Sequence, residues 1–241
     1  MQPRDTPWFR IFGEGAVIVG SILLAFALDA WWDERNREQA LKAQQGAVLD
    51  ELKSTYASLG NVQMAHDLNV RLTESLRASL AMVPDGETVV IADEDLGPLL
   101  PQVTADVTTG TLNAFIAAGG LDIIDNANVR RELLGWSARI DDLLDDEVYL
   151  RNFAAADLAA YLRANADVAN AESWSIAMVR NRFGVGPAPD QNALGTVTLR
   201  REQLLLNLLA ARESGERSVS ANLEDLRAGA ERIILAMEPA G

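Results

Sequence analysis

Two carboxylates bracket an uncharged apolar run. Glu14 and Asp29 flank residues 15–28, Gly-Ala-Val-Ile-Val-Gly-Ser-Ile-Leu-Leu-Ala-Phe-Ala-Leu. They are 15 residues apart, and on a helix that spacing sets them roughly 60° apart, facing one side. Carboxylates there can make a polar contact with another membrane subunit, relay a proton or ion, or sit hydrated among headgroups. Ala16/Gly20 and Ser21/Ala25 are small pairs at four-residue spacing. They allow close helix approach, either self-association or packing on another subunit, and they are also ordinary membrane-helix composition. Asp141, Asp142, Asp145, Asp146 and Glu147 put five acids into seven residues. The run lacks the glycine turn and ligand spacing of a calcium loop, so it reads as a solvated helix face or a docking surface for a basic partner. His66 is the single histidine. No serine motif marks a nucleophile near it, and it reads as a surface or packing residue. Gly184-Val185-Gly186 lacks the following Gly-Lys-Ser/Thr of a phosphate loop. Gly119 and Gly120 read as a helix C-cap, with Leu121, Ile123 and Ile124 plugging a core. A ligand-binding turn is the alternative there.

Composition narrows the chemistry further. The chain has 241 residues, no cysteine, 21 basic and 35 acidic residues, and a net charge of −14. The acidic balance argues against nucleic acid. Without cysteine there are no disulfides, thiolate metal sites or cysteine nucleophiles. No cofactor or metal is expected, and an enzyme would be limited to carboxylate or lysine chemistry. The expectation is a non-enzymatic protein.

The element that positions Glu14 and Asp29 is a helix. Fourteen residues cover only ~21 Å, but extension from Ile11 to Trp32 gives ~33 Å, enough for a ~30 Å hydrocarbon core. Trp8, Phe9 and Phe12 on one side and Trp31 and Trp32 on the other resemble two interfacial belts. Residues 1–32 are therefore expected to form a tail and transmembrane helix, and residues 33–241 a bundle domain. Two other readings stay open: a signal peptide cleaved after Ala25-Phe26-Ala27, and a helix buried in a soluble core. Arg4 and Arg10 on one flank nearly balance Arg35, Arg37 and Lys42 on the other. The sequence leans towards a cytoplasmic N-terminus and a periplasmic body in the bacterial inner membrane. Residues 1–32 carry −1 (two basic, three acidic), which leaves −13 for the body. That charge discourages further adhesion to anionic lipid.

The body is expected to be all-α, an up-down antiparallel bundle continuing from the span. The periodicity predicts helices over Asp33–Leu59, stopping at Gly60-Asn61, and over Val62–Met82. Further helices are expected over Asp106–Ala118, Asn126–Gly135, Ser137–Ala166, Leu199–Arg212 and Glu216–Met237, the last two broken near Ser214-Gly215. Pro239 closes the chain. Residues 84–105 and 184–198 read as loops. Thr88–Ile91 has strand character without an evident partner.

Two segments carry a resemblance. Gly13–Glu34, ending Leu28-Asp29-Ala30-Trp31-Trp32-Asp33-Glu34, and Thr111–Asn126, followed by Val129-Arg130-Arg131, are similar to a family of uncharacterised bacterial membrane-anchored proteins. Its members have one N-terminal span with a Trp-acid exit and a downstream Gly-x-Leu-x-x-Ile element. The resemblance implies a membrane-anchored helical protein and carries over no catalytic residues. Relatives have Asn before the Trp where this chain has Asp29-Ala30. Two functions follow as expectations. One is an interaction or scaffold module whose partners are the lipid bilayer and either a second copy or another membrane protein. The other is a periplasmic sensory or ligand-binding bundle that signals through a membrane partner.

Overall fold

The computed structural model describes residues 7–182, 184–188, 190 and 194–238, with side chains described from Glu14 onwards and not at Arg182. Arg4, Pro189 and Pro239, and the side chains of Trp8, Phe9 and Phe12, lie outside the described residues. Helix α1 spans Pro7–Ala81. After it come β1 (Thr88–Ala92), α2 (Asp93–Leu96), a 3-10 turn (Gly97–Leu99), α3 (Gly110–Ala117) and a second 3-10 turn (Gly120–Ile123). Helix α4 (Ala127–Phe153) runs through a π turn (Ala154–Leu158) into α5 (Ala159–Asn165); α6 (Ala169–Arg182), β2 (Thr196–Arg200) and α7 (Gln203–Met237) complete the chain.

Three long helices make the frame. The buried positions of α1 include 48, 52, 55, 59, 62, 66, 69, 73, 76, 80, with Leu41, Ala65 and Val70 beside that series; those of α4 run 129, 133, 136, 140, 143, 147, 150; and those of α7 include 205, 209, 212, 216, 219, 223, 226, 230, 233, 237. Each series alternates four and three, the coiled-coil spacing that keeps one seam facing its partners. Contacts place α7 antiparallel to both others: Leu150 meets Gly215, Trp136 meets Gly229, and Arg227 meets Gly60. One apolar cluster packs α1, α3, α4 and α7 around Leu59, Phe115, Trp136 and Leu223. A second packs Leu76, Leu80, Leu96, Leu158, Leu162, Val197 and Leu209 at the far end. Exposed ion pairs such as Lys53–Glu238 (2.7 Å) and Arg232–Glu132 (3.0 Å) decorate the seams; such pairs contribute about 0–1 kcal/mol each.

Several boundaries differ from the sequence expectation. Helix α1 does not stop at Gly60-Asn61, α4 does not break at Gly135, and α7 is unbroken at Ser214-Gly215. Gly215 is a packing residue: a Cβ there would lie 2.6 Å from Leu150 Cδ1. Thr88–Ala92 finds its antiparallel partner in Thr196–Arg200, so the bundle carries a two-stranded ribbon. Residues 196–198 are strand rather than loop, and the last helix starts at Gln203 instead of Leu199. Helix α6 covers a stretch for which periodicity assigned no element.

Candidate functional site

The three seams carry polar exceptions, and His66, Asn69, Glu147, Arg212 and Glu216 among them meet. On α1 they are Thr55, His66, Asn69 and Thr73; on α4, Glu147; on α7, Arg212 and Glu216, all buried. Glu216 is the hub. Its Oε2 lies 2.5 Å from His66 Nδ1, and its Oε1 accepts from Asn69 Nδ2 at 3.1 Å and from Arg212 at 2.7 Å. Arg212 also donates to the Pro101 carbonyl at 3.3 Å. Glu147 accepts the Ala105 N–H with both oxygens, at 2.9 and 3.0 Å, and its Oε1 stands 4.0 Å from His66 Nε2.

Burial sets the electrostatics of this layer. It pushes the Glu147 carboxyl up from 4.5 to about 7, while the Ala105 N–H, His66 and Arg151 pull it down. Burial also draws the Arg212 guanidinium down, and Glu216 opposes that shift. Glu216, already bonded by Arg212 and Asn69, lies against Nδ1 of the imidazole, and Nε2 is on the Glu147 side. His66 Nε2 and Arg212 Nε and Nη1 have no hydrogen-bond partner.

A cavity of about 60 Å³ lies between α1, residues 98–103 and α6, lined by Asn69, Pro101, Val103, Trp174, Ser175 and Met178 among others. It has room for a few waters. Asn69 and Pro101 are shared with the polar layer, and no charged side chain lines the cavity. Among the described residues, no group of three or more His, Cys, Asp or Glu side chains could hold a metal ion.

The sequence-selected residues lie elsewhere. Glu14, Ala16, Gly20, Ser21, Ala25, Asp29, Trp31 and Trp32 are all exposed along α1. Ser21 bonds back to the Val17 carbonyl at 2.7 Å, and Arg35 stacks 5.7 Å over the Trp31 ring. The apolar window has mean hydropathy 1.8 and none of it is buried. It is therefore not a helix buried within this chain's own core. Among the described α1 side chains the first buried one is Leu41, so ~14 Å of bare helix separates Trp32 from the body.

Gly119 follows α3 with φ +83°, and Gly120 packs under the Phe115 ring. Ile124 is buried, and Leu121 and Ile123 pack against the same core. Glu51 accepts from the N–H groups of Thr111 and Leu112 (3.1 and 3.3 Å), placing a carboxylate at the positive end of α3.

Two readings need correction. Asp141, Asp142 and Asp145 are exposed, but Glu147, counted with them as a solvated face, is buried at 1% exposure. His66 is not isolated; helices far apart in sequence bring Glu147 and Glu216 to it. One signal for this layer was available. His66, Glu147, Arg212 and Glu216 fall in phase with the four-three apolar spacing, where a surface charge would be out of phase. No family model, curated protein or solved structure matches this chain.

Proposed function

We propose that this chain is a membrane-anchored, non-enzymatic interaction or scaffold module. In this reading, residues up to Trp32 stay in the bilayer and the acidic body is held beyond the headgroups by an unbroken helix. The supporting observation is the exposed window of α1: 18 residues of mean hydropathy 1.8, wholly unburied, on the same helix that forms the body's central strut. Left in water, such a surface is a large contiguous apolar patch, which soluble proteins avoid. Trp31, Trp32 and Arg35 at its exit suit the headgroup level, where an amphipathic ring has an apolar and a wet side. The proposal keeps a bacterial inner-membrane location with a periplasmic body, and it keeps the resemblance to the anchored family described above.

Fractionation with and without detergent tests the anchor. A C-terminal reporter fusion, active on one side of the membrane only, tests orientation. Recovery of full-length protein in the supernatant after detergent-free lysis, or a mature chain beginning at Leu28, would refute the anchor.

The sensory reading has one observation in its favour. The cavity beside Asn69 is walled by Trp174, Pro101 and Val103 and lined by no charged side chain, so it suits a small uncharged molecule. Saturating such a molecule against a Trp174→Phe variant separates this reading from a packed scaffold.

A further inference from the structure

Strands β1 and β2 make a two-stranded ribbon, paired antiparallel from Thr88↔Arg200 to Ala92↔Thr196, so each strand has one edge without a partner. Two bonds fix which residues face those edges. The Arg201 N–H donates to the Glu87 carbonyl at 2.7 Å, and the Asp93 N–H to the Gly195 carbonyl at 3.2 Å. Bonded pairs recur at every second residue, so Val89, Ile91, Val197 and Leu199 bond within the ribbon. Thr88, Val90 and Ala92 turn their N–H and C=O groups out along one edge; Thr196, Thr198 and Arg200 do so along the other. Among the described residues, no hydrogen bond reaches these outward backbone groups.

The two edges are not equally guarded. An open edge is a template for another strand, and proteins blunt it with charge, proline or a bulge. Asp85 and Glu87 precede β1, and Asp93, Glu94 and Asp95 follow it. Pairing β1 with itself about Val90 would set Glu87 against Asp93 of the other copy and Asp85 against Asp95, like charges at both ends. β2 reads Thr-Val-Thr-Leu-Arg, without proline, and its register is free of bulges. Its one charge is held back: Arg200 Nε donates to the Gly86 carbonyl at 3.0 Å, on the β1 side of the ribbon. Thr196, Thr198 and Arg200 are exposed, while Val197 and Leu199 pack into the second apolar cluster.

We propose that the β2 edge is a self-association surface, where two copies of this chain pair β2 with β2, antiparallel about Thr198, into one four-stranded sheet. In that register Thr198 faces Thr198 of the second copy, Thr196 faces Arg200, and Gly195 faces Arg201. No like charges are opposed, the central pair is a favourable threonine–threonine one, and about six main-chain hydrogen bonds form. The two-fold axis stands normal to the sheet, so both bundles lie on the same face of it. That arrangement suits two chains anchored in one bilayer, but the surface itself does not rest on the anchor. One five-residue edge is smaller than the interface of a stable soluble dimer, so the pairing is concentration-dependent.

The chain has no cysteine, so an introduced one reports on a single position. In the proposed register the two Thr198 Cα atoms are about 5.5 Å apart, inside the ~4.4–6.8 Å range of a disulfide. Under mild oxidation of the full-length protein in detergent micelles, Thr198→Cys is expected to form a linked dimer at least about tenfold faster than Thr196→Cys, which faces Arg200, or Val90→Cys on β1. Equal rates at the three positions, or the fastest rate at Val90, would overturn the pairing. Amide exchange of the wild type gives a measurement free of any variant. The Thr196, Thr198 and Arg200 amides are expected to gain protection as protein concentration rises, while Thr88 and Val90 do not. Thr198→Pro removes an outward N–H without touching the β1 ladder, and should abolish that concentration dependence. Protection of the β2 edge that ignores concentration, or that survives Thr198→Pro, overturns the proposal.

Discussion

Arg212 and Glu216 form an ion pair at 2.7 Å with 0% exposure on both side chains, so removing one partner is a severe test of the buried layer. Arg212→Met keeps the volume and leaves Glu216 as a buried anion held only by His66 and Asn69. Glu216→Leu leaves Arg212 with the Pro101 carbonyl alone and unpairs two further donors. Breaking a buried pair from one side costs about 3–5 kcal/mol. For a body of this size that corresponds to a fall in Tm of about 6–20 °C.

The double variant, Arg212→Met with Glu216→Leu, buries no unpaired charge in the pair. Its remaining penalty is the two orphaned donors on His66 and Asn69, about 1–3 kcal/mol each, and the Pro101 carbonyl that loses Arg212. It should therefore be more stable than the sum of the singles, with a coupling energy of at least about 1 kcal/mol. Urea unfolding of all four proteins, followed by far-UV circular dichroism in the same detergent, gives the cycle. Additive losses, or single losses below about 1 kcal/mol, would show that water reaches the layer and that the burial argument is wrong.

Other consequences follow from the same geometry. Folding stability contributed by Glu147 is fully present below pH ~4.5, falls as pH rises through about 7, and amounts to up to ~3 kcal/mol; Glu147→Gln should remove that slope from a pH series of urea midpoints. Glu51→Gln keeps the shape but removes the charge at the α3 N-terminus, and should cost about 0.3–1 kcal/mol, with the loss shrinking in high salt. Gly120→Ala drives a methyl into the Phe115 ring and should cost about 1–3 kcal/mol by thermal melt. Gly215→Ala meets Leu150 Cδ1 at 2.6 Å and should fall short of the gain of about 1 kcal/mol that alanine brings to an uncrowded helix position.

Much of the frame was legible in the sequence. An uncharged run over residues 15–28, followed closely by Trp31-Trp32, specifies an apolar helix whatever surrounds it, because length and hydropathy are local properties. The four-three spacing of Val48, Leu52, Leu59 and Val62, and of Leu205, Leu209, Val219 and Leu223, specifies helices with one buried seam. What misled the reading was punctuation: Gly60, Gly135 and Gly215 look like helix ends, yet a glycine's penalty of about 1 kcal/mol is easily exceeded by packing along a long seam. Gly215 is there because Leu150 needs the space, and Leu150 is 65 residues away in the chain.

The strand at Thr88–Ala92 could not be completed from sequence, since its partner lies more than 100 residues on and five-residue strands carry little pattern of their own. The polar layer was the largest omission. Taken one at a time, His66, Glu147, Arg212 and Glu216 look like surface residues, because a charge is cheap only in water. Their burial depends on their occupying the same level of three different helices, where each supplies the partner another lacks. Local sequence decides that there are helices and which stripe faces inward. Only the register between helices, fixed by tertiary packing, decides that these four side chains meet.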